Sequence, residues 1–110
     1  MEQTSALLAL SALAHPTRLE VFRLLVSAEP RGLAAGDISA KLDVLQNTMS
    51  TNLAILARAE LISSTREGRS IRYRAELDTM RALITYLTRD CCGGRPEVCG
   101  PLVELVACDR

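Results

Sequence analysis

The stretch from Ala34 to Glu60 constrains this chain more than any other. Asp37-Ile38-Ser39-Ala40-Lys41-Leu42 sets Ile38 and Leu42 one helical turn apart. Asp43-Val44 breaks that helix, and Val44 is expected to point inward as the plug of a tight bend. Gln46-Asn47-Thr48-Met49-Ser50-Thr51-Asn52 then opens a second helix, predicted to run to about Ala59. Leu45, Met49, Leu53 and Leu56 recur at helical spacing, so they are expected to form one stripe facing a core.

The other side of that second helix is unusual for a surface that meets only water. Asn47, Thr51 and Arg58 lie opposite the stripe, with Thr48 and Asn52 flanking them. Glu and Lys are nearly absent there. Amides and hydroxyls both donate and accept, which suits the edges of base pairs in a major groove. Two helices joined by a short turn, the second with a polar leading face, describe a helix-turn-helix DNA reader. An amphipathic helix with a polar N-terminal cap would share the pattern. On the DNA reading, the candidate contacts from this helix are Gln46, Asn47, Thr48, Ser50, Thr51, Asn52 and Arg58.

The residues after the helix favour DNA. Leu61-Ile62-Ser63-Ser64-Thr65-Arg66 reads as a strand, Glu67-Gly68-Arg69 as a turn and Ser70 to Ala75 as a second strand. Ile71, Tyr73 and Ala75 are expected on one face of it, with Ser70, Arg72 and Arg74 on the other. A hairpin with arginines at its tip, directly after a reading helix, is a wing. Arg66, Arg69 and Arg72 could contact phosphates or enter the minor groove. The chain carries 13 basic and 13 acidic residues, so its charge is balanced overall, but the segment from 58 to 74 is arginine-rich. Only three aromatic residues occur, Phe22, Tyr73 and Tyr86, too few for stacking platforms on single strands.

The flanks suggest a second copy of the chain. Residues 3 to 14 are almost all Ala and Leu around the helical wheel, so that helix must be covered on more than one side. His15-Pro16-Thr17-Arg18 starts the next helix, with proline at the favoured first position and His15 as a helix-start residue. Leu19, Phe22, Leu25 and Val26 are its expected core stripe. Asp78 is expected to cap a later helix reaching about Asp90, with Met80, Leu83, Ile84 and Leu87 as its apolar stripe. The first and the later helix could pair with their copies across a two-fold axis. The fold class expected is mostly α with a β-hairpin wing: a winged helix-turn-helix, homodimeric through its N- and C-terminal helices. All 110 residues are expected to form one domain, with a cysteine segment over 91–108.

All four cysteines lie in that segment, at 91, 92, 99 and 108. No run is long enough to span a bilayer and no export signal is visible, so a cytoplasmic protein without a membrane partner is expected. Clustered cytosolic cysteines point to a metal or redox site rather than to structural disulfides. Gly93-Gly94 ends the preceding helix and lets the chain return Cys99 toward Cys91 and Cys92. Three thiolates without histidine suit a soft ion. Trivalent arsenic or antimony takes three sulfurs on one side, whereas tetrahedral zinc would ask for a fourth ligand such as Cys108. Redox sensing by disulfide formation is a further alternative, with Arg89 or Arg95 placed to lower a thiol pKa. Leu102 to Cys108 could form a last short helix, in which Cys108 is expected as a buried apolar residue. An enzyme is not expected: vicinal cysteines could serve a reductase, but no Cys-x-x-Cys, nucleotide loop or paired base accompanies them.

These residues together resemble the ArsR-type winged-helix repressors, bacterial regulators that respond to metals and metalloids. The resemblance runs through Ala12-Leu13-Ala14-His15-Pro16-Thr17-Arg18-Leu19, the Gln46–Leu53 helix, Leu61-Ile62 and Gly68-Arg69. Members usually carry glycine where this chain has Glu60, and serine and histidines on the reading helix where Leu45, Thr51 and Asn52 depart from the pattern. One group of the family binds trivalent arsenic or antimony through three cysteines after the fifth helix. The Cys91-Cys92-Gly93-Gly94-Arg95-Pro96-Glu97-Val98-Cys99 run is similar to it. The resemblance therefore implies that Cys91, Cys92 and Cys99 bind As(III) or Sb(III) as inducer, and that the dimer leaves double-stranded operator DNA in response. Cadmium, lead or zinc are alternative ions.

Overall fold

A computed structural model describes residues 1–89 of the chain. Cys91, Cys92, Cys99, Cys108 and the helix expected over 102–108 lie outside the described residues. In chain order the elements are α1 (Gln3–Leu13), α2 (Pro16–Ser27), β1 (Leu33–Ala34), α3 (Ala35–Leu42), α4 (Gln46–Arg58), β2 (Ile62–Glu67), β3 (Ser70–Ala75) and α5 (Leu77–Thr88). The strands form one antiparallel sheet in the order β1-β3-β2. This is the mostly helical winged helix-turn-helix expected.

The core is built where the apolar spacings converge. Val21, Phe22 and Leu25 of α2, Ile38 of α3, and Met49, Leu53 and Leu56 of α4 are buried together. Leu19 and Val26, expected in the core stripe of α2, are exposed instead, because the buried face of that helix is centred on Val21, Phe22 and Leu25. Leu61, Ile62, Ala75 and Leu83 close the cluster from the sheet and α5, and Val44 packs against it from the bend between α3 and α4. Each fully buried side chain of this size contributes about 1.5–3 kcal/mol relative to exposure. The stripe stops one residue short of expectation, because Leu45 is 79% exposed. Its φ of −59° and ψ of 144° are extended, so it is the N-cap of α4 and not part of its first turn. The spacing of four to Met49 therefore does not put it on the helical face. Ile71, expected on the covered face of β3, is also exposed, because it sits near the free end of the hairpin.

Local chemistry sets the ends of the helices. His15 caps α2, its Nδ1 accepting from the Thr17 amide at 3.2 Å, with Pro16 at the first helical position. At the end of α4 the amide of Glu60 donates to the Ala57 carbonyl at 3.0 Å, and that of Leu61 to the Leu56 carbonyl at 3.1 Å. These are the paired bonds of a Schellman motif, whose turning residue must be left-handed. Glu60 fills that place with φ of 63°. Leu56 and Leu61, both fully buried, supply the apolar contact that accompanies it. Asp43 closes α3 in the same way with φ of 54°. The start of α5 differs from expectation. Glu76, not Asp78, is its N-cap, without a side-chain cap bond. The Glu76 amide is drawn to the Leu61 carbonyl at 2.8 Å, which begins the helix earlier and leaves Asp78 in the first turn, accepting from Arg81.

Strand β1 has no counterpart among the elements expected from the sequence. It is only two residues long and owes its pairing to distant residues, Leu33 opposite Tyr73 and Ala34 opposite Arg72. Gly32 admits the close approach. Its φ is 77°, and a Cβ there would collide with the Tyr73 carbonyl. The short strand anchors the base of the β2–β3 hairpin beside α3.

Candidate nucleic-acid interface

Helix α4 divides as the sequence suggests, with one exception. Met49, Leu53 and Leu56 face the core, while Gln46, Asn47, Thr48, Ser50, Thr51 and Arg58 are turned away from it. Thr51 Oγ1 donates to the Asn47 carbonyl at 3.3 Å, a bond within the helix that orients its side chain along the outer face. Among the described residues no side chain caps the N-terminus of α4, and no acidic residue lies in its first turn. Its leading amides and the positive end of the helix dipole are thus open to an anion such as a phosphate.

The exception is Asn52, expected on the outer face and found only 5% exposed. It lies three residues after Met49 and four before Leu56, which places it on the buried stripe. Its Oδ1 accepts from Arg18 Nη1 at 3.2 Å, so its polarity is satisfied inside the protein and not by a ligand. The same guanidinium donates from Nε to the Ala12 carbonyl at 2.6 Å and from Nη2 to the Ser11 carbonyl at 3.5 Å. Nothing local to Arg18 in the sequence marks this role. The only hint was an amide on a buried stripe, which requires a partner from elsewhere.

The hairpin rises beside α4. Its register runs from Ile62 opposite Ala75 to Glu67 opposite Ser70, which leaves Gly68-Arg69 as a two-residue loop. Gly68, at the first loop position, has φ of 64°, as a type II′ hairpin turn requires. Arg66 and Arg69 are exposed and form no ion pair among the described residues, and Arg58 at the end of α4 likewise has none. Arg72 is different. Its Nε donates to Glu67 Oε1 at 3.1 Å and its Nη1 to the Gly32 carbonyl at 3.1 Å. It braces the hairpin against the turn before β1, so it is less available to DNA than the sequence suggested. Arg74 is paired with Glu29 at 3.2 Å. A cleft of about 270 Å³ separates helix from hairpin, with Gln46 and Ser50 on one wall and Arg69 and Ser70 on the other.

The surface offers a polar helix face with an uncapped N-terminus and cationic groups on the adjoining hairpin. None of its groups has the base, nucleophile and orienting partner that catalysis asks for. Among the described residues, no helix is long and apolar enough to cross a membrane.

Known proteins share this arrangement. The family model for the helix-turn-helix domain matches residues 13–65. A biofilm growth-associated repressor of Agrobacterium fabrum is 36% identical over 84 residues, which cover 76% of this chain and 69% of that protein. The transcriptional activator HlyU of Vibrio cholerae is 31% identical over 94 residues, 84% of each chain. Among solved structures, an ArsR-like transcriptional regulator from Rhodococcus superposes with a TM-score of 0.70 at 26% identity, over 78% of each chain. A homodimeric winged helix-turn-helix DNA-binding domain from Mycobacterium bovis, a possible ArsR-family regulator, gives 0.63 at 28% identity over 79% of this chain and 81% of that one.

Proposed function

The chain belongs to the ArsR-like winged helix-turn-helix transcriptional regulators, and from that premise we propose that it is a homodimeric repressor released from operator DNA by trivalent arsenic or antimony. The observation that carries the DNA part is the outward face of α4, where Asn47, Thr51 and Arg58 are exposed, together with the exposed Arg66 and Arg69 of the wing, Arg69 sharing a cleft with Gln46 and Ser50 of α4. Asn47 and Thr51 would meet base edges, Gln46, Thr48 and Ser50 the flanks of the same groove, and the arginines the phosphates.

Dimerisation is supported by α1. It turns Ala6, Ala9 and Ala12 inward and leaves Leu7, Leu8 and Leu10 exposed. Leu87 of α5 is exposed as well. Leucines outside and alanines inside are reasonable for a helix that a second copy covers. A two-fold dimer would set two α4 helices about one duplex turn apart, roughly 34 Å, and so favour a palindrome. The Mycobacterium bovis relative is homodimeric. Repression is supported by the Agrobacterium relative, itself a repressor.

The inducer is proposed from donor chemistry. Cys91, Cys92 and Cys99 offer three thiolates and no hard ligand, a set that matches a trigonal, thiophilic As(III) or Sb(III). Binding just after α5 would change how the copies pack and so alter the separation of the two reading helices. Coupling of this kind is about 5- to 150-fold in affinity. A cytoplasmic location follows from the proposed partner, operator DNA.

The test is a duplex selected by the reduced protein from a random pool, then titrated with arsenite in the complex. Arsenite should release the wild-type protein, and Cys91→Ser, Cys92→Ser and Cys99→Ser should each keep DNA binding but resist release. Normal release of all three variants would overturn the inducer assignment. Release by cadmium alone, or by hydrogen peroxide alone, would reassign the cysteines to another ion or to a thiol redox switch.

A further inference from the structure

We propose that Arg18 is a positioning residue, which fixes the pose of the reading helix α4 relative to α1 by holding both with one guanidinium. This role rests on the dimeric DNA reader proposed above and goes beyond it. It names the contact through which the two-fold axis sets the spacing of the heads.

The geometry is specific. Arg18 stands in the first turn of α2, between the other two helices. From there Nε and Nη2 reach the Ala12 and Ser11 carbonyls at the C-terminal end of α1, while Nη1 reaches Asn52 Oδ1 inside α4. The α1 carbonyls belong to the last turn, whose partial negative charge favours a cation. Guanidinium donors lie in a fixed plane. Turning or sliding α4 against α1 therefore breaks at least one of these bonds.

Both ends of the link matter to the proposed function. Asn52 adjoins Thr51, and its own turn of helix carries Thr48 and Thr51 on the exposed side. A shift at Asn52 is a shift of the groove-facing residues. At the other end, α1 is the helix that exposes Leu7 and Leu10 for a second copy. An apolar residue at position 52 would pack as well against Met49 and Leu56 and would serve stability alone. The buried amide instead aims its acceptor at a charge tethered to α1.

The decisive variant is Arg18→Met combined with Asn52→Leu. Replacing both partners by apolar groups leaves neither side chain with an unsatisfied polar atom, so the fold should persist where Arg18→Ala alone could lose it. The probes are the duplex selected by the wild-type protein and versions with one base pair added to or removed from its centre. The wild type should prefer the original spacing by about tenfold or more, within the usual range of allosteric coupling. The double variant should remain folded by circular dichroism and dimeric by sedimentation, yet bind all three spacings within about threefold of one another, a loss of that same coupling. Asn52→Asp, which keeps an acceptor for Arg18, should retain the wild-type preference. A folded double variant with the full spacing preference would overturn the positioning role and leave only a structural one. A double variant that does not fold would also overturn it, because the pair would then be needed for the core itself. Failure of the wild-type protein to select any duplex would instead overturn the DNA reading and the Arg18 role with it.

Discussion

Helices α1 and α4 arrange their large and small side chains in opposite ways. In α4 the large side chains Met49, Leu53 and Leu56 go inward and the small polar ones go out. In α1 Ala6, Ala9 and Ala12 go inward and Leu7, Leu8 and Leu10 go out, with Leu7 57% exposed, while Leu13 packs against the core. Among the described residues the first pattern is complete, because burial of the stripe accounts for its side chains. The second is not. Alanines let α1 approach the core closely, but they contribute little area, and the leucines remain to be covered. The difference shows that α4 has its large apolar side chains satisfied within the described residues, while α1 does not; in the dimer proposed above, a second copy supplies the missing cover.

The contrast can be broken at either helix. The largest effect is expected at Leu53→Ala, which opens a cavity in the core and should cost about 2–5 kcal/mol in denaturant unfolding. A loss under about 1 kcal/mol, ordinary for a surface site, would mean the stripe is not the anchor of α4. Replacing Leu7 and Leu10 by Ser should act quite differently. Far-UV circular dichroism should show the same helix content, while sedimentation equilibrium shows a monomer and operator affinity falls. If the doubly substituted protein stays dimeric, α1 is not the interface. The smallest effect is expected at the end of α4. Left-handed backbone costs a residue with a Cβ roughly 1–2 kcal/mol, offset in part by the greater freedom glycine loses on folding, so Glu60→Gly should stabilise by about 0.5–1 kcal/mol. A destabilised Glu60→Gly protein would show that the Glu60 side chain contributes more than its backbone strain costs.

Much of this was legible in the residues. Proline after His15, the polar run from Gln46 and the strict alternation of Ser70 to Ala75 located α2, α4 and β3, because each is governed by local chemistry. Gly68 likewise marked the tip of the wing. The departures share a cause, which is that something distant or terminal decides. Strand β1 exists only because β3 lies beside it. Leu45 has helical spacing to Met49 but lies outside the helix as its cap. Asp78 lost the cap position to Glu76, which the Leu61 carbonyl draws in. Asn52 read as part of a polar face by composition, although its spacing to Met49 and Leu56 already put it on the buried one. Its partner Arg18 is 34 residues away in the chain, beyond the reach of any local pattern. Arg72 was legible as a cation on the hairpin, but its engagement with Glu67 and the Gly32 carbonyl was not.

On the proposed function, the exposed face of α4 reads duplex DNA from two copies of the chain. Hydroxyl-radical footprinting of the selected duplex tests it most directly. Two protected patches are predicted, with centres about 10–10.5 base pairs apart and related by the two-fold axis of the site. Protection of both should be lost when Asn47→Ala and Thr51→Ala are combined. A single unpaired patch, or two patches unchanged in that double variant, would contradict it.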